Sequence, residues 1–198
     1  MKYNAEFVTS AAGAEGLPKD GLPELAMVGR SNVGKSSLIN ALVRKQVART
    51  SAAPGKTRLA NFYRVDAEPR PPFYLVDLPG FGYARGGDKA RKEFDALAAD
   101  YFGARLGDGR FRGALVLVDS RHPGLDSDRA TWSWLERLGV DCVAVATKVD
   151  KLTRAERQRH LVELEEVYSG PVMPVSAQTG EGLDELWKKI ASLTQTRP

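Results

Sequence analysis

Cysteine is nearly missing from this chain of 198 residues: Cys142 stands alone. One cysteine cannot close an internal disulfide, so the fold must rest on packing. Cys142 lies in the apolar run from Asp141 to Ala146, which makes it a core thiol rather than a reactive one. No stretch approaches the roughly 18 consecutive apolar residues of a membrane span. Met1 to Ser10 has no apolar core behind a basic start, so no secretory signal is expected and a cytoplasmic location fits. Internal repeats and low-complexity blocks are missing too. Charge of one sign is not dominant: 29 basic residues stand against 25 acidic ones, for a net charge of +4. That small excess permits contact with nucleic acid without requiring it.

What is present is an alternation of short apolar runs with helical stretches. Strands are expected at 24–28, 61–65, 73–77, 113–119, 142–147 and 171–175. Helices are expected at 36–43, 89–105, 126–138, 154–168 and 183–193. Residues 61–65 and 73–77 are separated by a Pro-rich turn and predict a hairpin. Residues 11–23 read as a loop and 194–198 as a flexible tail. The expectation is one α/β domain: a three-layer fold with a mostly parallel six-stranded sheet, one antiparallel strand, and helices on both faces. In such sheets ligands sit beyond the carboxyl ends of the strands.

The sequence Gly29-Arg30-Ser31-Asn32-Val33-Gly34-Lys35-Ser36 matches G-x-x-x-x-G-K-[ST] between an apolar strand and a helix, the context that a phosphate-binding loop requires. Glycine lets the backbone approach an anion closely. The helix start supplies amide donors and the positive end of a dipole. Lys35 adds a full charge for the β and γ phosphates. The Ser36 hydroxyl suits Mg²⁺, which prefers oxygen ligands.

Thr147-Lys148-Val149-Asp150 follows another strand end and chooses the base. A carboxylate can accept two hydrogen bonds side by side. Guanine offers N1–H and its N2 amino group in that arrangement and adenine does not, so Asp150 points to GTP. The Lys148 stem can pack over the base. Thr147 stands where such motifs usually begin with Asn, and its hydroxyl can tie this loop to the phosphate loop. Beyond the last strand, Val175-Ser176-Ala177 can offer a backbone amide to guanine O6. Asp77-Leu78-Pro79-Gly80 closes the strand 73–77. Asp77 suits Mg²⁺ through its water shell, and Gly80 can present its amide to the γ phosphate. The following residues 81–89 contain Gly82, Gly86 and Gly87 and are expected to be mobile. Thr57, in Pro54-Gly55-Lys56-Thr57-Arg58, is the candidate for a GTP-dependent Mg²⁺ ligand, with Thr50 as its competitor.

Over residues 5 to 193 these segments resemble the EngB-type GTPases of the Era and TrmE branch. The phosphate loop through Ser37 and Thr-Ser-Ala-Ala-Pro-Gly-Lys-Thr carry the resemblance. So do Asp-Leu-Pro-Gly-Phe-Gly-Tyr-Ala and Val-Asp-Ser-Arg-His-Pro, which are the more specific. The resemblance implies binding and hydrolysis of GTP to GDP with Mg²⁺. It implies a role in assembly of the large ribosomal subunit, with its precursor rRNA and ribosomal proteins as partners. It also implies a need for the protein in cell division and septation. A monomer without membrane insertion is expected.

The full candidate nucleotide site comprises Gly29, Arg30, Ser31, Asn32, Val33, Gly34, Lys35, Ser36 and Ser37; Gly55, Lys56, Thr57, Arg58 and Leu59; Asp77, Leu78, Pro79 and Gly80; Thr147, Lys148, Val149 and Asp150; and Val175, Ser176 and Ala177. Ser36, Thr57 and Asp77 are the expected metal ligands. Lys35, Asn32 and Gly80 are the expected catalytic residues. Ras-like proteins place a Gln after the Asp-x-x-Gly motif to orient water; here Phe81 stands there and cannot. Slow intrinsic hydrolysis, stimulated by a partner or by K⁺, is therefore expected. Relatives in this branch use an Asn of the phosphate loop to hold K⁺, which would make Asn32 its ligand; the plainer role is a turn-stabilising Asn. Arg85, Arg91 and Lys92 can report the GTP state to rRNA or simply form a solvated face. His122 reads as positional and His160 as solvent-facing. Trp132 and Trp134, two apart on a helix, cannot both face one core. Three readings stay open: a GTP-gated assembly factor, a GTP-dependent interaction protein of the division machinery with little hydrolytic role, and a P-loop kinase or ATPase, which a preference for ATP over GTP would reveal.

Overall fold

A computed structural model describes residues 3–48, 59–81 and 87–195. Seven strands lie in one sheet among them: β1 (Tyr3–Ala11), β2 (Glu24–Gly29), β3 (Ala60–Ala67), β4 (Arg70–Asp77), β5 (Phe111–Asp119), β6 (Cys142–Thr147) and β7 (Met173–Pro174). Their order is β1-β3-β4-β2-β5-β6-β7. β3 runs antiparallel to both β1 and β4, and the remaining pairs are parallel. The helices are α1 (Lys35–Val43), α2 (Gly87–Arg105), α3 (Asp126–Arg137), α4 (Arg154–Val167) and α5 (Leu183–Thr194).

Alternation along the strands builds the three layers. Leu25 and Met27 of β2, with Leu115 and Leu117 of β5, face Leu38, Ile39 and Leu42 of α1 and Leu186 and Ile190 of α5. Ala26, Val28, Ala114 and Val116 face the other way, toward Leu97, Tyr101 and Phe102 of α2 and Leu135 of α3. Strands buried on both faces read as continuous apolar runs, which is why β2, β5 and β6 were legible. The Trp187 indole donates to the Leu42 carbonyl at 2.9 Å and locks α5 onto α1.

The sheet has seven strands, where the sequence led to six. The extra one is β1, which pairs with β3 across a register shift between Phe7 and Thr9. That irregularity breaks the period-two pattern, so Ala5 and Ala11 are buried while Phe7 and Val8 are exposed. The last strand shrinks to Met173–Pro174. Residues 11–23 carry a short 3-10 turn at Ala14–Gly16, and α5 continues through Thr194, into the expected tail.

Trp132 and Trp134 do face different neighbours. Trp132 packs on Tyr168 beyond α4 with centroids 4.7 Å apart, and Trp134 meets Phe102 of α2 at 5.5 Å. His160 is not solvent-facing. Its Nδ1 lies 2.8 Å from the Ser120 carbonyl oxygen, so it pins α4 to the end of β5. Charged neighbours on α4 hid that one inward position. Cys142 is partly buried, and burial pushes its thiol pKa up to about 12. No helix among the described residues is long and apolar enough to cross a membrane.

The candidate nucleotide site

Every described motif segment leaves the same edge of the sheet. Gly29, Asp77, Asp119 and Thr147 end β2, β4, β5 and β6. Gly29 must be glycine for space: a Cβ there would lie 2.9 Å from the Leu117 carbonyl oxygen. Asn32 and Gly34 have φ of 63° and 114°, values that Asn and Gly accept most readily. They curl the loop so that α1 starts at Lys35, leaving its first amides without intrahelical partners.

Lys35 is 8% exposed, and its ammonium donates to the Gly29 carbonyl at 3.1 Å. Burial lowers its pKa, with Asp77 opposing the shift. The Ser36 hydroxyl donates to Asp77 Oδ2 at 3.4 Å. Burial raises the Asp77 pKa, with Lys35 and Ser36 opposing. The other Asp77 oxygen, Oδ1, is buried without a hydrogen-bond partner among the described residues. A buried carboxylate with an orphaned oxygen beside a serine hydroxyl is a hard-oxygen donor pair, and Mg²⁺ fits it. Ser36 and Asp77 would hold the ion, which when bound supplies charge neutralisation at the phosphates.

The phosphate loop and the Asp-x-x-Gly turn touch backbone to backbone. The Ser31 amide donates to the Phe81 carbonyl at 3.2 Å, and the Ser31 hydroxyl donates to the Gly80 carbonyl at 3.3 Å. A Cβ on Gly80 would lie 2.6 Å from the Ser31 nitrogen, so no other residue fits there. Leu78 and Phe81 are buried in the core between the sheet and α2. The Phe81 ring is thus packed, and the side chain at the position usually occupied by a water-orienting Gln carries no polar atom.

The base-selecting motif is assembled from three strand ends. The Thr147 hydroxyl donates to the Val33 carbonyl at 2.7 Å and lies 3.1 Å from that of Val118. The departure from Asn therefore keeps the tie to the phosphate loop. Lys148, at φ 61°, sends its ammonium to the Asn32 carbonyl at 2.6 Å. Its stem passes Gly34, whose notional Cβ would be 3.9 Å from Lys148 Cε. Asp150 Oδ1 accepts from the Ser176 hydroxyl at 2.7 Å, a bond that holds the Asp150 carboxyl below its ordinary pKa. Val149 is buried, and its amide donates to the Val175 carbonyl at 3.4 Å. Ser176 in turn takes the amides of Gln178 and Thr179. It shapes the turn that carries Ala177.

Asp119 and Arg121, both within Val-Asp-Ser-Arg-His-Pro, acquire a role only in the fold. Asp119 is buried and accepts from Arg121 Nε at 2.9 Å, from Arg121 Nη2 at 2.7 Å and from Lys148 at 2.8 Å. Burial pushes its pKa up, but the Arg121 and Lys148 bonds outweigh burial and hold it well below the carboxylate range. An Asp at the end of a buried strand, two residues before an Arg, was the available signal. Asn40 was also missed: its Oδ1 takes the amides of Val47 and Ala48 and its Nδ2 donates to the Ala48 carbonyl. It fastens the chain at the exit of α1. A hollow of about 460 Å³ lies there, between Arg44, Lys45 and Ala177.

Of the remaining candidates, Gly55, Lys56, Thr57 and Arg58 lie outside the described residues, as do Thr50, Gly82, Arg85 and Gly86. Leu59 is exposed just before β3. Ser37 and Lys92 are exposed.

Residues 24–148 match the model of a family described as 50S ribosome-binding GTPase. Over 98% of its length the chain is 40% identical to the probable GTP-binding protein EngB of Symbiobacterium thermophilum, covering 97% of that protein. The chain belongs to the EngB family of GTP-binding proteins. Like its family, the chain is a GTPase, an enzyme that hydrolyses GTP.

Solved structures agree on the fold. A crystal structure of a probable GTP-binding protein EngB superimposes with a TM-score of 0.65 at 21% identity, over 88% of this chain and 99% of that one. Era, in a complex with MgGDPNP and nucleotides 1506–1542 of 16S ribosomal RNA, gives 0.74 at 23% identity. That match covers 89% of this chain and 58% of Era.

Proposed function

We propose that this GTPase is a guanine-nucleotide switch that acts in assembly of the large ribosomal subunit, and that cell division and septation depend on it through that role. The observation that carries the reading is the joining of base loop and phosphate loop. Lys148 bridges Asn32 and Asp119, Thr147 bridges Val33, and Ser176 aims Asp150. Asp150 would take the guanine N1–H and N2 amino donors, with the Lys148 stem over the base and the Ala177 amide toward O6. Lys35, the loop amides and the start of α1 would carry the phosphates. Ser36 and Asp77, with Thr57, would hold Mg²⁺.

Hydrolysis in this reading is electrostatic and slow unless helped. Lys35 and the Gly80 amide face developing charge on the γ phosphate. Phe81 offers nothing to a water molecule, so a partner or K⁺ at Asn32 supplies what is missing. The partner is a precursor of the large subunit, in keeping with the 50S-binding description of the family model. The protein acts in the cytoplasm, as a monomeric single domain.

Cosedimentation with large-subunit precursors tests this. Binding in the presence of a non-hydrolysable GTP analogue should exceed binding with GDP by about ten-fold or more, the scale of an ordinary coupling free energy. Binding that ignores the nucleotide, or no binding, would contradict the role.

A further inference from the structure

Arg30, the second residue of the phosphate loop, reaches in two directions. Its backbone forms a parallel bridge with Phe81. Through Ser31 it sits against Gly80 as well. Its side chain turns toward α3, with Nε 3.3 Å from Asp128 Oδ1, an ion pair that lacks hydrogen-bond alignment. Asp128 belongs to the first turn of α3 and is 1% exposed. The Ser127 hydroxyl also donates to it, at 3.4 Å. The Arg30 side chain keeps 27% of its surface. Behind the pair stands Tyr168, its ring against Trp132 and its hydroxyl buried with a bond to none of the described residues.

A carboxylate buried this deeply is poor material for stability. Desolvation offsets much of what the pair gains, and apolar replacements are often neutral or better. What the contact does provide is a fixed distance between α3 and the residues that touch the Asp-x-x-Gly turn.

We infer that Asp128 and Arg30 are a positioning pair for GTP hydrolysis: α3 holds residues 30 and 31, and through them Gly80 and Phe81, in register with the γ phosphate. The inference rests on the reading that the Gly80 amide faces that phosphate. Neither side chain touches the reacting atoms. Their effect on the reaction passes through the loop backbone, so it should fall on turnover rather than on nucleotide capture. Misplacement of a catalytic group by about 1 Å can cost about a hundred-fold in rate.

Steady-state GTP hydrolysis should be compared for wild type, Asp128→Asn, Arg30→Met, their double variant, Arg30→Lys and Gly80→Ala. Asp128→Asn and Arg30→Met should each lower kcat about ten-fold with KM for GTP changed less than about two-fold, the pattern of an interaction needed only in the transition state. The double variant should be no slower than either single one, because both changes break one contact. Arg30→Lys keeps the charge but cannot place it where Nε stands, so it should fall between. It carries the same test in a chain with its buried carboxylate intact, should Asp128→Asn fail to fold. Thermal midpoints should not track the kcat losses. Unchanged kcat in the single variants, or losses that multiply in the double, would overturn the pair. If Gly80→Ala is slow while the pair variants are normal, only the pair is refuted. Gly80→Ala keeps the amide, but its Cβ would meet Ser31 at 2.6 Å and push the turn away; normal turnover would therefore refute the reading that the placement of the Gly80 amide matters.

Discussion

The Lys148 ammonium lies 2.6 Å from the Asn32 carbonyl oxygen, joining the loop expected to read the base to the loop expected to hold the phosphates. Both residues have left-handed backbones, so each loop is bent toward the other. Asp119 completes the link by holding the same ammonium at 2.8 Å.

Asp119→Asn should therefore weaken guanine nucleotides as a class. Charge-assisted hydrogen bonds are worth about 1.5–3 kcal/mol each, so a loss of roughly ten-fold in GDP and GTP affinity is expected. Titration with a fluorescent GDP measures it. Unaltered affinity would show that Lys148 holds its place without Asp119.

Asn32 is exposed in the phosphate loop, and its side chain is the proposed K⁺ ligand. GTP turnover should be at least about ten-fold faster in K⁺ than in Na⁺, the order of effect expected from one charge aimed at the transition state. Asn32→Ala should remove the difference. Equal rates in the two salts would reduce Asn32 to a turn residue.

Asp128 gives a pH prediction. Burial raises its pKa from 3.8 to about 6, with Arg30 pulling down and Asp119 adding to the rise. Arg129, on its own helix, and Tyr168, beyond α4, belong to the same electrostatic cluster. A carboxyl whose folded pKa is raised favours the fold when protonated. That contribution is complete below pH 4 and is lost as pH climbs through about 6. Wild type should lose stability relative to Asp128→Asn between pH 4 and 8, by up to about 3 kcal/mol. Denaturant unfolding at several pH values reads this out. A constant difference would mean that Asp128 stays ionised throughout.

At the far end of the sheet, Glu24 and Arg105 form a buried ion pair at 2.9 Å, with the Tyr101 hydroxyl on the second Glu24 oxygen at 3.0 Å. Arg105 also donates to the Pro18 carbonyl, so the pair ties α2 and the 11–23 segment to the start of β2. Arg105→Met leaves the buried Glu24 carboxylate with the Tyr101 hydroxyl but no cation against it and should cost about 3–5 kcal/mol of stability; Glu24→Gln leaves Arg105 its ion pair with Asp108 at 3.0 Å and should cost less. Affinity for GDP in the folded fraction should not change. A loss below 1 kcal/mol in Arg105→Met would mean that water already relieves the pair.

Much of this was legible in the residues themselves. Strands buried on both faces announce themselves as apolar runs, and Gly29, Gly34 and Lys35 sit at spacings that only a phosphate loop needs. β1 was not legible, because its bulge at Phe7 to Thr9 spoils the alternation that marks a strand. His160 and Asp119 were hidden for a different reason. Their partners, the Ser120 carbonyl and Lys148, are distant in sequence and meet only when the strand ends converge. The Arg30–Asp128 contact is of the same kind: a loop and a helix start nearly a hundred residues apart.

Asp150, aimed by Ser176, is the group proposed to read guanine. Displacement of a fluorescent guanine nucleotide by GTP, ATP and XTP, for wild type and Asp150→Asn, tests it most directly. Wild type should prefer GTP over ATP by about 10⁴-fold, the discrimination that a buried hydrogen-bonding site can reach. Asp150→Asn should lose GTP and gain XTP, because the xanthine 2-oxo group accepts from the new amide. Comparable binding of ATP and GTP by wild type, or an unchanged preference in the variant, would contradict the account.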